Sequence, residues 1–385
     1  MSVVLGLPQP RPGLPISGVA GDGADTGGTP RSTGPRPPVA LPSGRPEASG
    51  LLDRFGRLAT DLRISLTDRC NLRCTYCMPA EGLPFLPPPA LMSREEITRL
   101  AHIAVTEFGV RQVRFTGGEP LLRKDLVEII RDVAALEPRP EISLTTNAIG
   151  LTSRAEALAA AGLNRINVSL DSIEPETFAK ITRRPFLERV LAGIDAVKRA
   201  GLAETKINAV LMPGINDHQA VELLEWALAG GHQLRFIEQM PLDADHTWAR
   251  DTMITAEGIR DRLGARYLLT PDDAPRDGAP AELYQVRERS EGPEGRMLGL
   301  VGVIASVSEP FCSDCRRTRL TAEGAVRSCL FSHTETDLLG PLRAGADDAE
   351  LADLWRAAMW AKPAGHLMNE AGFAQPDRPM SAIGG

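Results

Sequence analysis

What this sequence lacks narrows its biology before any motif is read. No run of about 18 or more apolar residues occurs in its 385 residues, so no segment satisfies its own backbone across a bilayer. The apolar start, MSVVLGLPQP, is too short for a signal peptide and has no charged leader, so a cytoplasmic location is expected. Positive charge is not in excess. The 43 Lys and Arg stand against 50 Asp and Glu, a net charge of -7, and the broad basic field of a nucleic-acid surface is missing. An anionic partner has to be met by local clusters, which suits a small ligand better than DNA. Cysteine is scarce too. The chain has only six, in close spacings, and a reducing cytosol makes them ligands of a metal or cluster rather than disulfides.

What is present is enough for a substantial core: 43% of the residues are hydrophobic and 24% charged. Residues 1–50 are rich in Pro, Gly, Ser and Thr without a periodic apolar face, and read as a disordered extension. From residue 61, short β-branched runs alternate with helical stretches. The runs are DLRISLT, RQVRFTGG, EISLTTN, NRINVSLD, TKINAVLM and QLRFIEQM. Among the helical stretches, SREEITRLAHIAVTEFG carries a capping-box signature in Ser93 and Glu96.

Six such β-α steps imply right-handed crossovers and a parallel sheet. Polar residues gather where the strands run out: Thr67 and Asp68, Thr116 to Glu119, Thr145 to Asn147, Ser169 and Asp171, Glu238 and Gln239. That edge is where parallel β-α folds place their sites, and a barrel mouth explains the convergence more simply than a flat sheet. The expected fold is therefore α/β, an incomplete (β/α)6 barrel of TIM type over residues 51–270. A smaller α+β region over 271–385 follows, with strands in LGLVGVIASVS, a hairpin around AEG, a helix around AELADLWRAAMWAK and a loose tail, PMSAIGG.

The stretch DRCNLRCTYCMP sets Cys70, Cys74 and Cys77 in a C-x3-C-x2-C loop. A structural zinc site needs four ligands, and no fourth is at hand, because His102 lies well inside the next helix. Three sulfurs suit a four-iron cluster with one iron open to a ligand. A second triad, Cys312, Cys315 and Cys329, has His333 behind it, and C-x2-C-x13-C-x3-H is also a respectable zinc spacing. Spacing alone leaves zinc and cluster open there. In CRRTR beside it, strand alternation puts Arg317 and Arg319 on one face, as a phosphate fork would require.

The first triad followed by TGGEP resembles the radical S-adenosylmethionine superfamily. Over about residues 51–385 the ordered motifs LRISLTDRCNLRCTYCMP, RFTGGEP, TTN, NVSLDS, KINAV, RFIEQM, CSDCRRTRL and the terminal GG resemble the GTP 3',8-cyclase family of molybdenum-cofactor biosynthesis. The resemblance implies two [4Fe-4S] clusters, one on Cys70, Cys74 and Cys77 and one on Cys312, Cys315 and Cys329, with His333 a bystander. It implies S-adenosylmethionine held by Tyr76, Gly118, Glu119, Ser169 and Met240. It implies GTP held by Arg63, Arg114, Thr145, Lys206, Arg317, Thr318 and Arg319, with Arg235, Arg317, Arg319, Gly384 and Gly385 in the catalytic centre.

The implied reaction removes the ribose 3' hydrogen of GTP by a deoxyadenosyl radical and closes the ribose carbon onto purine carbon 8. Beyond what the resemblance implies, arginines near the second cluster are expected to assist the final reduction. The implied partners are a flavodoxin or ferredoxin as reductant, the downstream cyclic pyranopterin monophosphate synthase and a second copy in a homodimer, with no nucleic acid and no membrane. Departures from the family pattern are Ala148 in TTNA, the ITRRPFLERV stretch with Arg184 and Pro185, and a longer loop near 271–281. These are expected to affect loops more than chemistry. The rival readings are a peptide maturase of the same superfamily and a zinc-stabilised ligand-binding barrel.

Overall fold

The structure, a computed structural model, describes residues 44–46, 49–202, 205–366, 368 and 373–383. Nearly all of the expected N-terminal extension, together with Gly384 and Gly385, lies outside the described residues.

A short antiparallel hairpin, β1 (Leu51–Leu52) with β2 (Leu58–Ala59), comes first. The core strands then follow the alternation of the sequence. In β3 (Asp61–Ser65), Leu62 and Ile64 are fully buried on one face, and Asp61, Arg63 and Ser65 take the other. The same repeat builds β4 (Gln112–Thr116), β5 (Glu141–Thr146), β6 (Arg165–Ser169), β7 (Lys206–Val210) and β8 (Gln233–Ile237). These six strands lie side by side in chain order, each parallel to the next.

The crossovers carry α1 (Arg94–Thr106), α2 (Leu126–Ala134), α3 (Ala155–Ala160), α4 (Pro175–Thr182), α5 (Leu187–Arg199) and α6 (Ala220–Gly230), and α7 (Ala256–Gly264) follows β8. The capping box of α1 forms: Ser93 Oγ accepts from the Glu96 N–H, and the Glu96 carboxylate accepts from the Ser93 N–H. In α2 the residues Leu126, Ile129, Ile130 and Val133 are buried at helical spacing. The apolar core thus fills the layer between helices and sheet, and the inner face is left to polar side chains.

Beyond the sixth strand the chain adds to both edges of the same sheet. The further strands are β9 (Tyr267–Pro271), β10 (Glu282–Glu288), β11 (Met297–Ile304), β12 (Arg317–Leu320), β13 (Ala325–Arg327) and β14 (Thr336–Asp337). β11 runs parallel beside β8 and β12 parallel beside β3. The twelve-stranded order is β14-β13-β12-β3-β4-β5-β6-β7-β8-β11-β10-β9, with the two ends unjoined, so the barrel is incomplete as expected. The AEG hairpin is β12 with β13, and LGLVGVIASVS forms the single strand β11.

Two helices, α8 (Leu339–Arg343) and α9 (Asp348–Trp360), precede the tail, and α9 has its own capping box at Asp347 and Glu350. The tail differs from its reading as loose. Met380–Ile383 forms a one-turn helix, α10, with Ser381 and Ile383 buried and the Ile383 carbonyl accepting from Ser65 Oγ at 2.8 Å. Four residues cannot sustain a helix by their own hydrogen bonds, so the burial of Ile383 is what fixes this turn.

Candidate active site

Register turns the alternating strands into a row of charge. Arg63 on β3 pairs laterally with Arg114 on β4 and with Arg319 on β12, so three guanidinium side chains share one level of the inner face. Two residues towards the strand start, Asp61 pairs with Arg317. Arg235 on β8 lies between Asn208 and Gly302 in register, and a Cβ at position 302 would sit 3.0 Å from the Arg235 Cγ. Like charges in lateral register repel. Burial and the Arg114 and Arg319 charges hold Arg63 well below the usual arginine range, and burial with the Arg317 charge brings Arg319 down to about 10. Burial works to raise Asp61, but the four surrounding arginines Arg63, Arg114, Arg317 and Arg319 win and lower it. One carboxylate against four guanidiniums leaves a net positive cradle. Arg63 Nε and Asn208 Oδ1 are buried there without a hydrogen-bond partner.

The arginines and Asn208 line a single cavity together with Tyr76, Thr145, Ser169, Met240 and the second cysteine triad. Arg63, Arg114, Arg235, Arg317 and Arg319 are all on its wall. Two of the residues expected to hold GTP are not. Lys206 is on the same face of β7 as Asn208 but sits at the strand start, away from the cavity wall. Thr318 points to the opposite face, where its Oγ1 accepts from Trp355 Nε1 at 2.9 Å.

The first triad occupies the loop after β3. Burial raises all three thiols, Cys70 to about 11 and Cys77 to about 12, and the neighbouring sulfurs push Cys74 and Cys77 further. A sulfur cluster of this kind becomes anionic only against strong positive charge, which the iron of a cluster supplies. The loop is held from several sides. Thr182 and Ile181 carbonyls accept from the Arg73 and Thr75 N–H groups at 2.9 and 3.0 Å, and the Arg183 guanidinium donates to the Met78 carbonyl at 2.9 Å. The departing ITRRP stretch therefore braces the cysteine loop and is not a remote surface loop.

GGEP packs directly behind the same loop. Gly117 has φ +141, and a Cβ on Gly118 would overlap the Arg69 carbonyl, so only glycines admit this approach. The Gly118 and Glu119 N–H groups donate to the Thr67 and Arg69 carbonyls, both at 2.7 Å. Glu119 is buried and accepts from the Leu121 N–H, Thr146 Oγ1 and the Asn147 N–H at 2.9, 2.7 and 2.7 Å. Burial raises it to about 7. Protein donors thus fill most of the acceptor capacity of this carboxylate.

In the second triad, Cys312 and Cys315 sit in a turn before β12, and the β12–β13 hairpin returns the chain to Cys329. Burial works to raise Cys315, but Arg317 and Lys362 bring it down to about 6. His333 Nε2 lies 3.1 Å from the Ala374 carbonyl, and among the described residues no three His, Cys, Asp or Glu side chains close around a single ion. All six cysteines are free of disulfides. The donor sets fit two three-cornered clusters better than a closed zinc site.

Some residues at the site were not singled out from sequence. Asn208 carries the inward alternation of β7 and was findable by that signal. Phe311, whose ring lies 4.8 Å from the Arg317 guanidinium, and His366, whose Nδ1 accepts from the Met368 N–H at 3.1 Å, also line the cavity. Neither has a local pattern that marks it.

The chain matches the Radical SAM superfamily over residues 64–227 and Molybdenum Cofactor Synthesis C over residues 232–368. It is 59% identical over 355 residues to a GTP 3',8-cyclase of Paenarthrobacter nicotinovorans, covering 90% of this chain and 100% of that protein. It is 60% identical over 355 residues to a GTP 3',8-cyclase of Mycolicibacterium smegmatis, covering 92% and 97%. Among solved structures, Streptococcus suis SuiB shares the fold, with a TM-score of 0.54 at 14% identity over 85% of this chain and 77% of that one.

Proposed function

Because the chain belongs to the GTP 3',8-cyclase family of radical S-adenosylmethionine enzymes, we propose that it converts GTP to (8S)-3',8-cyclo-7,8-dihydroguanosine 5'-triphosphate, the first step of molybdenum-cofactor biosynthesis. The observation that carries this reading is the in-register row Arg319, Arg63 and Arg114, next to a cysteine triad in one cavity. Buried cations of one sign need a polyanion, and a triphosphate is one.

Cys70, Cys74 and Cys77 would hold one cluster and Cys312, Cys315 and Cys329 the other. With S-adenosylmethionine on the first, the reduced cluster supplies the electron for radical hydrogen abstraction. The chain's own residues bind and orient. Arg63, Arg114 and Arg319 take the phosphates from one level, and Arg235 approaches from β8 across the lumen. Thr145 adds a hydroxyl on β5, and Lys206 and Thr318 are assigned to GTP on the family pattern, their side chains lying off the cavity wall. Arg317, stacked on Phe311 beside Cys315, orients the base end. Tyr76, Ser169 and Met240 are the cavity residues assigned to S-adenosylmethionine, with Gly118 and Glu119 shaping its loop from behind. Tyr76 is fixed for this by its hydroxyl, which donates to Asp171 Oδ2 at 2.8 Å. Gly384 and Gly385 are assigned to the catalytic centre on the family pattern.

In this scheme residues 51–270 supply the radical core and 271–385 the second cluster and base recognition, with 1–50 as an extension. Each turnover would consume two electrons and a proton, one electron to cleave S-adenosylmethionine and one with the proton to reduce the cyclised radical, and would yield an unfinished pterin precursor. A flavodoxin or ferredoxin is accordingly proposed as donor, cyclic pyranopterin monophosphate synthase as recipient, and a homodimer as the working form. No helix among the described residues is long and apolar enough to cross a membrane; a cytoplasmic setting is part of the proposal.

The test is an anaerobic incubation of the reconstituted protein with GTP, S-adenosylmethionine and a reductant. 5'-Deoxyadenosine and the cyclised nucleotide are expected together. Deoxyadenosine without that nucleotide would point to a peptide maturase instead.

A further inference from the structure

Lys362 lies just beyond the C-terminal end of α9 with 2% of its surface exposed. Its ammonium donates to the Arg317 carbonyl at 2.8 Å, the Cys315 Sγ at 3.3 Å and the Cys315 carbonyl at 3.4 Å. All three protons are used, and among the described residues no Asp or Glu forms an ion pair with it. A buried cation without a carboxylate is unfavourable unless another anion compensates it. The anion within reach is the Cys315 sulfur, and the negative end of α9 adds to the compensation.

The loop that carries Lys362 is fixed. Arg57, paired with Asp53 at 2.6 Å, donates to the Pro363, Ala364 and Cys312 carbonyls at 2.5, 2.7 and 2.7 Å. Position 365 is so close to Cys312 that a Cβ there would lie 3.9 Å from its Sγ. The segment from 362 to 366 is thereby clamped against two of the three cysteines.

We propose that Lys362 is a positioning residue for the second cluster, holding the Cys315 sulfur by a hydrogen bond and raising the cluster's reduction potential by its charge. An added electron makes the cluster more negative, and a cation with an N–H···S bond stabilises the reduced form more than the oxidised one. Arg317 sits on the same sulfur but is committed to the cavity. Lys362 is not on the cavity wall, so it reaches the reaction through the cluster and through the Arg317 backbone that its ammonium also holds, and the midpoint potential isolates the first of these.

The inference rests on the two-cluster reading, and the experiment separates the two. The full-length protein is reconstituted anaerobically as wild type, Lys362→Met and Lys362→Gln, and iron is counted, with about eight expected per chain. Each protein is then titrated electrochemically under electron paramagnetic resonance. The cluster whose signal responds to S-adenosylmethionine is the internal reference, and the one that responds to GTP is read. Lys362→Met is expected to move the midpoint of the GTP-responsive cluster to more negative potential and leave the reference unmoved. Lys362→Gln, which keeps a donor without the charge, is expected to fall between Met and wild type.

An unchanged midpoint in a variant that retains eight irons overturns the proposal. So does an equal shift of both clusters, or failure of both variants to load the second cluster, which would make Lys362 an assembly residue. Wild-type protein that loads only four irons would instead defeat the two-cluster reading itself.

Discussion

Arg63, flanked in register by Arg114 and Arg319, is electrostatically unfavourable in the protein without ligand and favourable once phosphates are bound. Arg63→Met should therefore separate folding from binding. Without nucleotide, the unfolding midpoint is expected not to fall, because an apolar side chain replaces a buried, repelled cation. Affinity for GTP, measured by equilibrium binding, should weaken by about 10- to 100-fold, the loss of charge-assisted hydrogen bonds of roughly 1.5–3 kcal/mol.

Glu119 gives a second prediction at this scale. Its folded value of about 7 lies above the ordinary 4.5, so the folded state keeps a proton that the unfolded state has lost. Stability then declines as pH rises from about 4.5 to about 7, by an amount on the order of 3 kcal/mol. Glu119→Gln cannot titrate, and its amide opposes the Asn147 N–H, so it should be the less stable protein at pH 5. The gap to wild type should close by pH 8. Parallel denaturant titrations at several pH values would show this, and a gap independent of pH would refute it. The sequence made Glu119 legible as a site residue but not as a brace. That role depends on Thr146 and Asn147, which reach it only when β4 and β5 pair.

At the scale of elements, the cysteine loop after β3 depends on the end of α4. The Arg183 guanidinium donates to the Arg73 and Met78 carbonyls at 3.3 and 2.9 Å, from a residue whose own φ is +55. Arg183→Ala is expected to loosen this loop and speed iron loss from the first triad when a chelator is added, with the second triad unaffected. Chelation kinetics followed by Mössbauer or resonance spectra would distinguish the two. Ala148, another of the departures, takes φ +65, a conformation that favours glycine, at a turn buried against α5. Most elements were legible in the sequence. The six strands, the α1 cap and the AEG hairpin all rest on periods of two to four residues, which a linear reading detects. Pieces it missed include β1, β2, α4, α7, β9, β10, β14, α8 and α10, most of them short, and tertiary packing fixes them.

For the whole molecule, the C-terminal segment is tied to the far edge of the sheet by a charge network. Arg378 pairs with Glu323 at 2.6 Å and Glu335 at 2.8 Å and donates to the Ala382 carbonyl at 3.1 Å. Glu335 also pairs with Arg327, which is fully buried. Removing one partner leaves the other charges uncompensated. Arg378→Ala is expected to release the tail as the first site of carboxypeptidase attack. It should lower GTP conversion more than it lowers GTP binding, because α10 stands between Ser65 and the cavity, where Met380 is part of the wall. Equal losses of binding and conversion would argue against a role for the tail in catalysis.

The sequence by itself determined what is local in this protein: the alternation that makes each strand polar on one side, the helix caps, the two cysteine triads and the glycines of GGEP. Each follows from spacing along the chain. The tertiary structure alone decided which of those residues meet. Lateral register put Arg319, Arg63 and Arg114 on one level, turned Thr318 away to Trp355, engaged Glu119 with β5 and brought Lys362 to Cys315. The physical reason is that such contacts join residues up to 256 positions apart, as with Arg63 and Arg319. Their pairing is set by how the sheet and its helices pack, not by any period written in the chain.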